Sequence, residues 1–567
     1  MGVARLCAAE ADGLDPRLKP RLGPAAEAAV GPFTSRAEPR VHSRSLPQAL
    51  ALLAFLSARS PVRLSALQCP DGSPPPCRAA RTDPRRQPEV APNSVAVLYF
   101  DNLSADTADA YLAEGLTEEL IARLGQLPRL AVKSRAAVRR FKQSGADPLA
   151  AARALGVARL VTGSVRRGGN RLRVTVELVR ASDGEHVWGD LYDRTDADLL
   201  AVEEDIARAV ASAIGGQLLP AERATLAARP TASPEAYDHF LRGNHLLAQR
   251  TGSSVARAID EYKTATRVDP RFADAFARTA FGYGLFLDWS WPSPADPPES
   301  LLARAVASVD RALALKPTSS DAWVARGQLL SYRDLSAGKP LSEDEILGAF
   351  QRAITLDPRS VEAYHQYGAR LLYRGKDSAA VAAFQHALVL DAARAFTLVS
   401  LGLERVVARS YAEARRWLDS ALTVDPTFAI GYAHRGMLAL QLGDLAQART
   451  DGEMAIRFGA GYRLPGLAVL TMVDARSGDT LAARARLQEL LQAIVDSLHP
   501  SPRDARYVGP ALLATAGENR LVEFLERVEP RRATLWFDLR LPEYDTIRAN
   551  PRFQQLVEES RPLGAPR

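Results

Sequence analysis

The stretch VEAYHQYGARLLYRGKDSAAVAAFQHALVL, residues 361–390, reads as two short helices joined by a turn. Tyr364, Tyr367, Gly368 and Leu371 recur at three- and four-residue spacing and fill the first helix, while Ala380, Phe384 and Ala387 fill the second. Gly402 and Gly436 follow Gly368 at intervals of 34 residues. The second copy carries Leu401, Ala414, Leu418, Ala421 and Pro426; the third keeps Ala448 and Ala455 but has Gly452 and Ala460 where a large residue and a proline belong. Upstream, Ala265 with Val268-Asp269-Pro270, Ala312 with Leu315-Lys316-Pro317 and Ala353 with Leu356-Asp357-Pro358 mark three further repeat ends. Insertions near Asp288–Pro298 and Asp334–Leu341 lengthen two of these units and belong in loops. A helical hairpin buries only part of its apolar surface, so hairpins stack, complete a core and wind a superhelix whose concave face is lined by first helices.

These residues resemble the tetratricopeptide repeat (TPR) family, whose pattern is W-x-x-L-G-x-x-Y followed by A, F, A and P. The resemblance covers roughly 234–460 and implies an all-α superhelix holding a protein or peptide partner in its groove. Offsets from Gly327, Gly368, Gly402 and Gly436 carry the family's groove positions onto Gln328, His365, Tyr373, Leu403 and Met437, with packing between helices as the alternative for each. His365 and His434 fall at or next to such positions, with ordinary solvated histidines as the other reading. Trp289 and Trp291, in the first insertion, read either as an aromatic anchor for a partner or as a local mini-core. Residues 461–567 form a helical extension in which Leu487, Leu491, Ile494 and Leu498 keep the helical period, closed by a capping helix near Pro542–Glu558 with Phe553 and Leu556 inward.

Ahead of the repeats, residues 94–220 read as an α/β domain with a mixed sheet and about three helices. The apolar run Val95–Phe100 is a buried strand, and Asp101-Asn102 is turn-like. Leu112, Leu116, Leu120 and Leu124 line a helix; Leu130–Val132 and Leu160–Val165 are strands, with a helix over Pro148–Leu155 ended by Gly156. Leu172, Val174, Val176 and Leu178 alternate with polar residues between turns at Gly168-Gly169-Asn170 and Asp183-Gly184, so three antiparallel strands end the sheet. A last helix with Val202, Ile206, Val210 and Ile214 stops at Gly215-Gly216. Ser94–Ser104, Glu114–Leu124, Gly163–Arg167, Val187-Trp188-Gly189 and Tyr192-Asp193-Arg194 resemble the TolB-like (FlgO-like) amino-terminal domain. In that family the domain often precedes TPRs and follows a kinase, a nucleotide cyclase or a DNA-binding domain. Here a Pro-rich stretch precedes it, so those activities do not carry over.

Residues 1–92 contain fourteen prolines and read as a disordered Pro/Arg/Ala-rich tail. They hold 13 Lys+Arg against 8 Asp+Glu, five charges of the chain's net +6, so the folded part is near neutral and lacks the basic excess of a nucleic-acid binder. All three cysteines, Cys7, Cys69 and Cys77, lie in this tail, so no disulfide framework or cysteine zinc site holds the folded part. The run Ala49–Leu56 is too short to span a bilayer; it resembles a signal-peptide core if translation starts near Val41, which leaves extracytoplasmic, membrane-associated and cytoplasmic placement open.

No P-loop and no His-Glu-x-x-His occurs. The spacing of His239 and His245 does not put both on one helix face, and no metal or cofactor site is expected. Glu118-Glu119 and Glu203-Glu204 are adjacent on helices and read as surface charges, Gly282-Tyr283-Gly284 as a loosely packed helical region, and Gly163–Gly169 as a hairpin turn in preference to an anion cradle. The expected function is a non-enzymatic scaffold in a bacterial signalling or envelope-associated assembly. The alternative is a regulatory module of a transcriptional, kinase or cyclase system whose effector is absent from this chain.

Overall fold

The computed structural model describes residues 90–139, 141–142, 147–195, 198–289, 298–336, 342–459, 463–495, 505–528, 534–562 and 565. The tail reading for 1–89, the three cysteines, Trp291 and the Trp289 side chain, Ala460 and Leu498 lie outside them.

β1 (Ser94–Val97) is buried along its length because it lies between two parallel neighbours. The expected single strand to Phe100 is broken: the Phe100 N–H donates to Thr117 Oγ1 (3.0 Å) and leaves the ladder. The chain rejoins the sheet at β2 (Asp101–Asn102), so the segment expected as a turn pairs with Ser164 and Val165. Next come α1 (Ala110–Gly125), β3 (Ala131–Val132), α2 (Arg135–Arg139), α3 (Pro148–Leu155), β4 (Arg159–Gly168), β5 (Arg171–Arg180), β6 (His186–Thr195), α4 (Leu199–Gly215) and α5 (Pro220–Ala227). The mixed sheet runs β3-β1-β4-β5-β6, parallel through β1 and antiparallel from β4 to β6. Asp147 accepts from the N–H groups of Leu149 and Ala150 to start α3, and Gly156, at φ 61°, ends it. α2 has five residues, too few to show an apolar period.

From Pro234 the chain is helical. α6 (Pro234–Ala248) pairs with α7 (Gly252–Val268), α8 (Ala273–Trp289) with α9 (Pro298–Leu315), α10 (Ser320–Ser336) with α11 (Glu343–Leu356) and α12 (Val361–Tyr373) with α13 (Asp377–Leu390). α14 (Ala395–Val407) pairs with α15 (Tyr411–Val424), α16 (Ala429–Gln441) with α17 (Leu445–Phe458), α18 (Leu464–Arg476) with α19 (Thr480–Val495) and α20 (Ala505–Ala516) with α21 (Glu518–Arg527). α22 (Thr534–Leu539), a 3₁₀ turn over Pro542–Ile547 and α23 (Pro551–Ser560) complete it. This is a TPR-like array.

The 34-residue glycines stand where two helices touch. A Cβ on Gly368 would lie 2.8 Å from the Phe384 ring, and one on Gly402 2.9 Å from Leu418. In the next unit the large residue comes from elsewhere: Leu470 of α18 packs 2.8 Å from the Cβ position of Gly452. The pattern fades there because its filler moved to the following helix, yet the pairing continues past 460. Turns between paired helices recur at a residue of positive φ: Gly375, Arg409, Gly443 and Gly478, with Arg250 in the first hairpin.

Sheet and array are not separate beads. One hydrophobic core contains Val95, Leu116, Leu160 and Val210 from the sheet region together with Tyr237, Leu241 and Phe272 of the first hairpins. Residues 90–567 accordingly belong to one compact unit.

Candidate interaction site

The five family-derived positions are placed as follows. Gln328 is 1% exposed; its amide donates to Asp288 Oδ2 (3.0 Å) and lies against Gly284, where a Cβ would sit 2.4 Å from it. His365 shares a hydrogen bond with Thr397 Oγ1 (3.0 Å) and packs between the Phe384 and Phe396 rings. Leu403 and Met437 belong to the hydrophobic core of the later repeats. These four residues pack between helices and offer a partner little surface, since none is more than 9% exposed. Tyr373 differs, since it meets a segment 160 residues further along. Phe537 lies edge-on to it at 5.4 Å, and Arg506 donates to its hydroxyl (3.1 Å).

The first helices of the middle repeats are covered. Among the described side chains of α12, α14 and α16, none is fully exposed, whereas the second helices α13, α15 and α17 each present several exposed residues. In the early repeats α1 does part of the covering. Leu241 packs on Gly115, His245 pairs with Glu114 (3.0 Å), the Tyr111 hydroxyl donates to Asp238, and Arg359 donates to the Gly125 and Val132 carbonyls. Arg250, in the first turn, reaches Glu362 in α12 (3.2 Å), and Arg394 joins the same carboxylate. An ion-pair chain therefore crosses from the first hairpin to the fourth and fifth.

The sheet–array junction carries a buried polar network. Glu203 is fully buried and accepts from the Tyr237 hydroxyl (2.9 Å), while Arg123 pairs with Glu119 (2.7 Å) and donates to the Leu226 carbonyl (2.8 Å). Burial, then the nearby Glu119 carboxylate, holds Glu203 well above the usual carboxylate range. The expectation of surface charges fails for Glu203, which is fully buried, and holds only in part for Glu118, Glu119 and Glu204, which are partly buried and ion-paired with Arg135, Arg123 and Arg208. Gly282 and Gly284 are likewise tight helix contacts, against Ile259 and Gln328, and not a loose region. In the Gly163–Gly169 stretch a Cβ on Gly163 would meet the Thr175 carbonyl at 2.4 Å, and Arg167 donates to the Tyr111 hydroxyl (3.0 Å), so these residues serve packing. Among the described residues no group of His, Cys, Asp or Glu is arranged to hold a metal ion, and no helix is long and apolar enough to cross a membrane.

The later repeats carry a site that spacing did not reveal. α22 and the following turn lie against the ends of α12 and α14. Trp536 rests on Gly375, where a Cβ would sit 2.5 Å from the ring, and the Arg540 guanidinium lies 4.6 Å from the ring centroid while pairing with Asp377 (3.2 Å). Arg506 bridges Asp538 (2.6 Å) and the Tyr373 and Phe537 rings. Arg409 binds the Asp545 carboxylate (3.2 Å) and the Arg540 carbonyl (2.9 Å). The sequence signal was an arginine at a turn that is glycine in the neighbouring repeats.

Fold and site together define a TPR-like helical-repeat protein joined to a mixed α/β sheet. No family model matches the chain. It is similar to "Putative adenylate cyclase 3" of Rhizobium meliloti (strain 1021), 33% identical over 203 residues, 36% of this chain and 34% of that protein. The chain thus spans about a third of that relative's length. Among solved structures it is similar to the APC/C hetero-tetramer Cut9-Hcn1, at 12% identity and TM-score 0.41, over 64% of this chain and 62% of that one. It is also similar to a thermophilic TPR protein of Thermus thermophilus, at 16% identity and TM-score 0.30, over 36% of this chain and 99% of that one.

Proposed function

We propose that this protein is a non-enzymatic scaffold of a bacterial signalling or envelope-associated assembly. A TolB-like domain over 94–220 anchors a TPR array over 234–460, and a helical extension over 461–567 completes it. The observation that carries this reading is the array itself, stacked hairpins with an aromatic and charged cradle at the ends of α12 and α14. Such arrays bind other polypeptides through surfaces that stacking creates. Tyr373 is the family-derived position that belongs to this cradle; Gln328, His365, Leu403 and Met437 support it by fixing helix spacing.

The test is crosslinking of the tagged full chain in its own cells, identification of the crosslinked protein, and calorimetry with both purified components. A stoichiometric complex is expected. A turnover by the purified chain, such as cyclic AMP formed from ATP, that is lost on changing one polar residue would overturn the reading.

The resemblance to a named cyclase favours a second reading, a regulatory module acting on a separate effector. Mixing the chain with a cyclase, kinase or DNA-binding protein encoded beside it, and finding the effector's rate or affinity unchanged, would dismiss it.

A further inference from the structure

We infer that the cradle at the ends of α12 and α14 is a peptide-binding site whose resident ligand is the chain's own segment 535–548, and that its exchangeable partner is a peptide of the same chemistry, aromatic residues followed by carboxylates. This deepens the scaffold reading and rests on it.

An internal comparison of the repeats carries the inference. Turns after α12, α16 and α18 use glycine at the left-handed position, where a side chain is strained; among the described turns those after α6 and α14 hold an arginine there, Arg250 reaching Glu362 within the array and Arg409 reaching outside it. The equivalent turn after α14 holds Arg409 at φ 61°, and its guanidinium is spent on segment 535–548 alone apart from one bond to the Val407 carbonyl. A strained arginine whose reach serves one distant segment is a dedicated contact. Gly375 supplies the second element. Its missing side chain leaves the flat place on which the Trp536 indole lies, with Tyr373 beside it for Phe537. The third is charge: Arg409 takes Asp545 and Arg506 takes Asp538, so the cradle selects acidic groups at two points that follow an aromatic pair. Phe537, Leu539 and Tyr544 are buried in the core of the later repeats, so a free peptide of that pattern makes the same bonds only once the segment has left the cradle, and then competes by mass action.

Arg409→Gly in the full chain tests this, because glycine suits the backbone there and the array itself loses only the bond to the Val407 carbonyl. Hydrogen exchange and binding of a fluorescent synthetic peptide, residues 535–548, are read together. Expected are exchange in 535–548 at least tenfold faster, unchanged exchange in α15 to α18, and peptide binding to the variant that exceeds wild type by tenfold or more and vanishes when the peptide's tryptophan and phenylalanine are alanine. Trp536→Ala in the chain provides a second release with Arg409 intact and should behave alike. Unchanged exchange and binding in both variants would overturn the inference, as would loosening of segment and repeats together, which makes the segment an integral cap. A partner found for the full chain whose affinity ignores Arg409→Gly leaves the scaffold reading standing and removes this one.

Discussion

His365 and His434 show how one residue's environment sets a property of the protein. Burial, followed by the Arg394 charge, lowers the His365 pKa to about 4; burial, followed by Arg506, lowers that of His434 to about 3. An unfolded chain protonates both near pH 6.5 while the folded chain refuses the proton, so stability is complete above that pH and is lost as pH falls below it. Between pH 7.5 and pH 5 each histidine should cost about 2 kcal/mol. Urea unfolding at the two pH values measures this, and His434→Gln should reduce the difference; an unaltered difference would exclude His434 as a source. Glu362 is the converse case. Burial favours its neutral form, yet Arg394 and then Arg250 outweigh that and hold its carboxyl well below the usual carboxylate range. Glu362→Gln leaves two partly buried guanidinium groups without their shared anion and should cost about 2 kcal/mol, seen as a lower urea midpoint with the slope retained.

At the scale of the helix, glycines with opposite surroundings predict opposite effects. Gly368→Ala drives a methyl into the Phe384 ring and should cost about 1–3 kcal/mol. Gly348→Ala, in the middle of α11 with open space at its Cβ, should stabilise by about 0.5–1 kcal/mol. Thermal unfolding of the pair decides: two shifts of the same sign would contradict the contact geometry. The helices and strands were largely legible because their signals are local. Leu112, Leu116, Leu120 and Leu124 lie on one buried face as their spacing requires, and Gly156 ends α3 as expected. What covers those elements was not legible. Nothing within ten residues of Glu203 announces Tyr237 as its partner, and nothing near Tyr373 announces Phe537. Helical period states which residues face inward, and the distant segment that meets them is settled only when the whole chain packs. Arg409 went unread although it stands where Gly375 and Gly443 stand in the neighbouring turns; its reach to Asp545 had no local signal at all.

For the whole molecule, the shared core of sheet and first hairpins implies that the parts do not stand alone. Residues 234–567 without the preceding sheet would expose Tyr237, Leu241 and Phe272, each worth about 1.5–3 kcal/mol of burial. That fragment should melt at a lower temperature than the full chain and scatter light on concentration; a fragment matching the full chain in both would mean the common core contributes nothing. The link from Arg250 to Glu362 has a mechanical meaning as well. An open coil of hairpins extends under load like a spring, each turn giving a little. Here a tie rod joins the first coil to the fourth, so pulling on the two ends should meet a stiff element that yields abruptly at one force before the ordinary gradual extension begins.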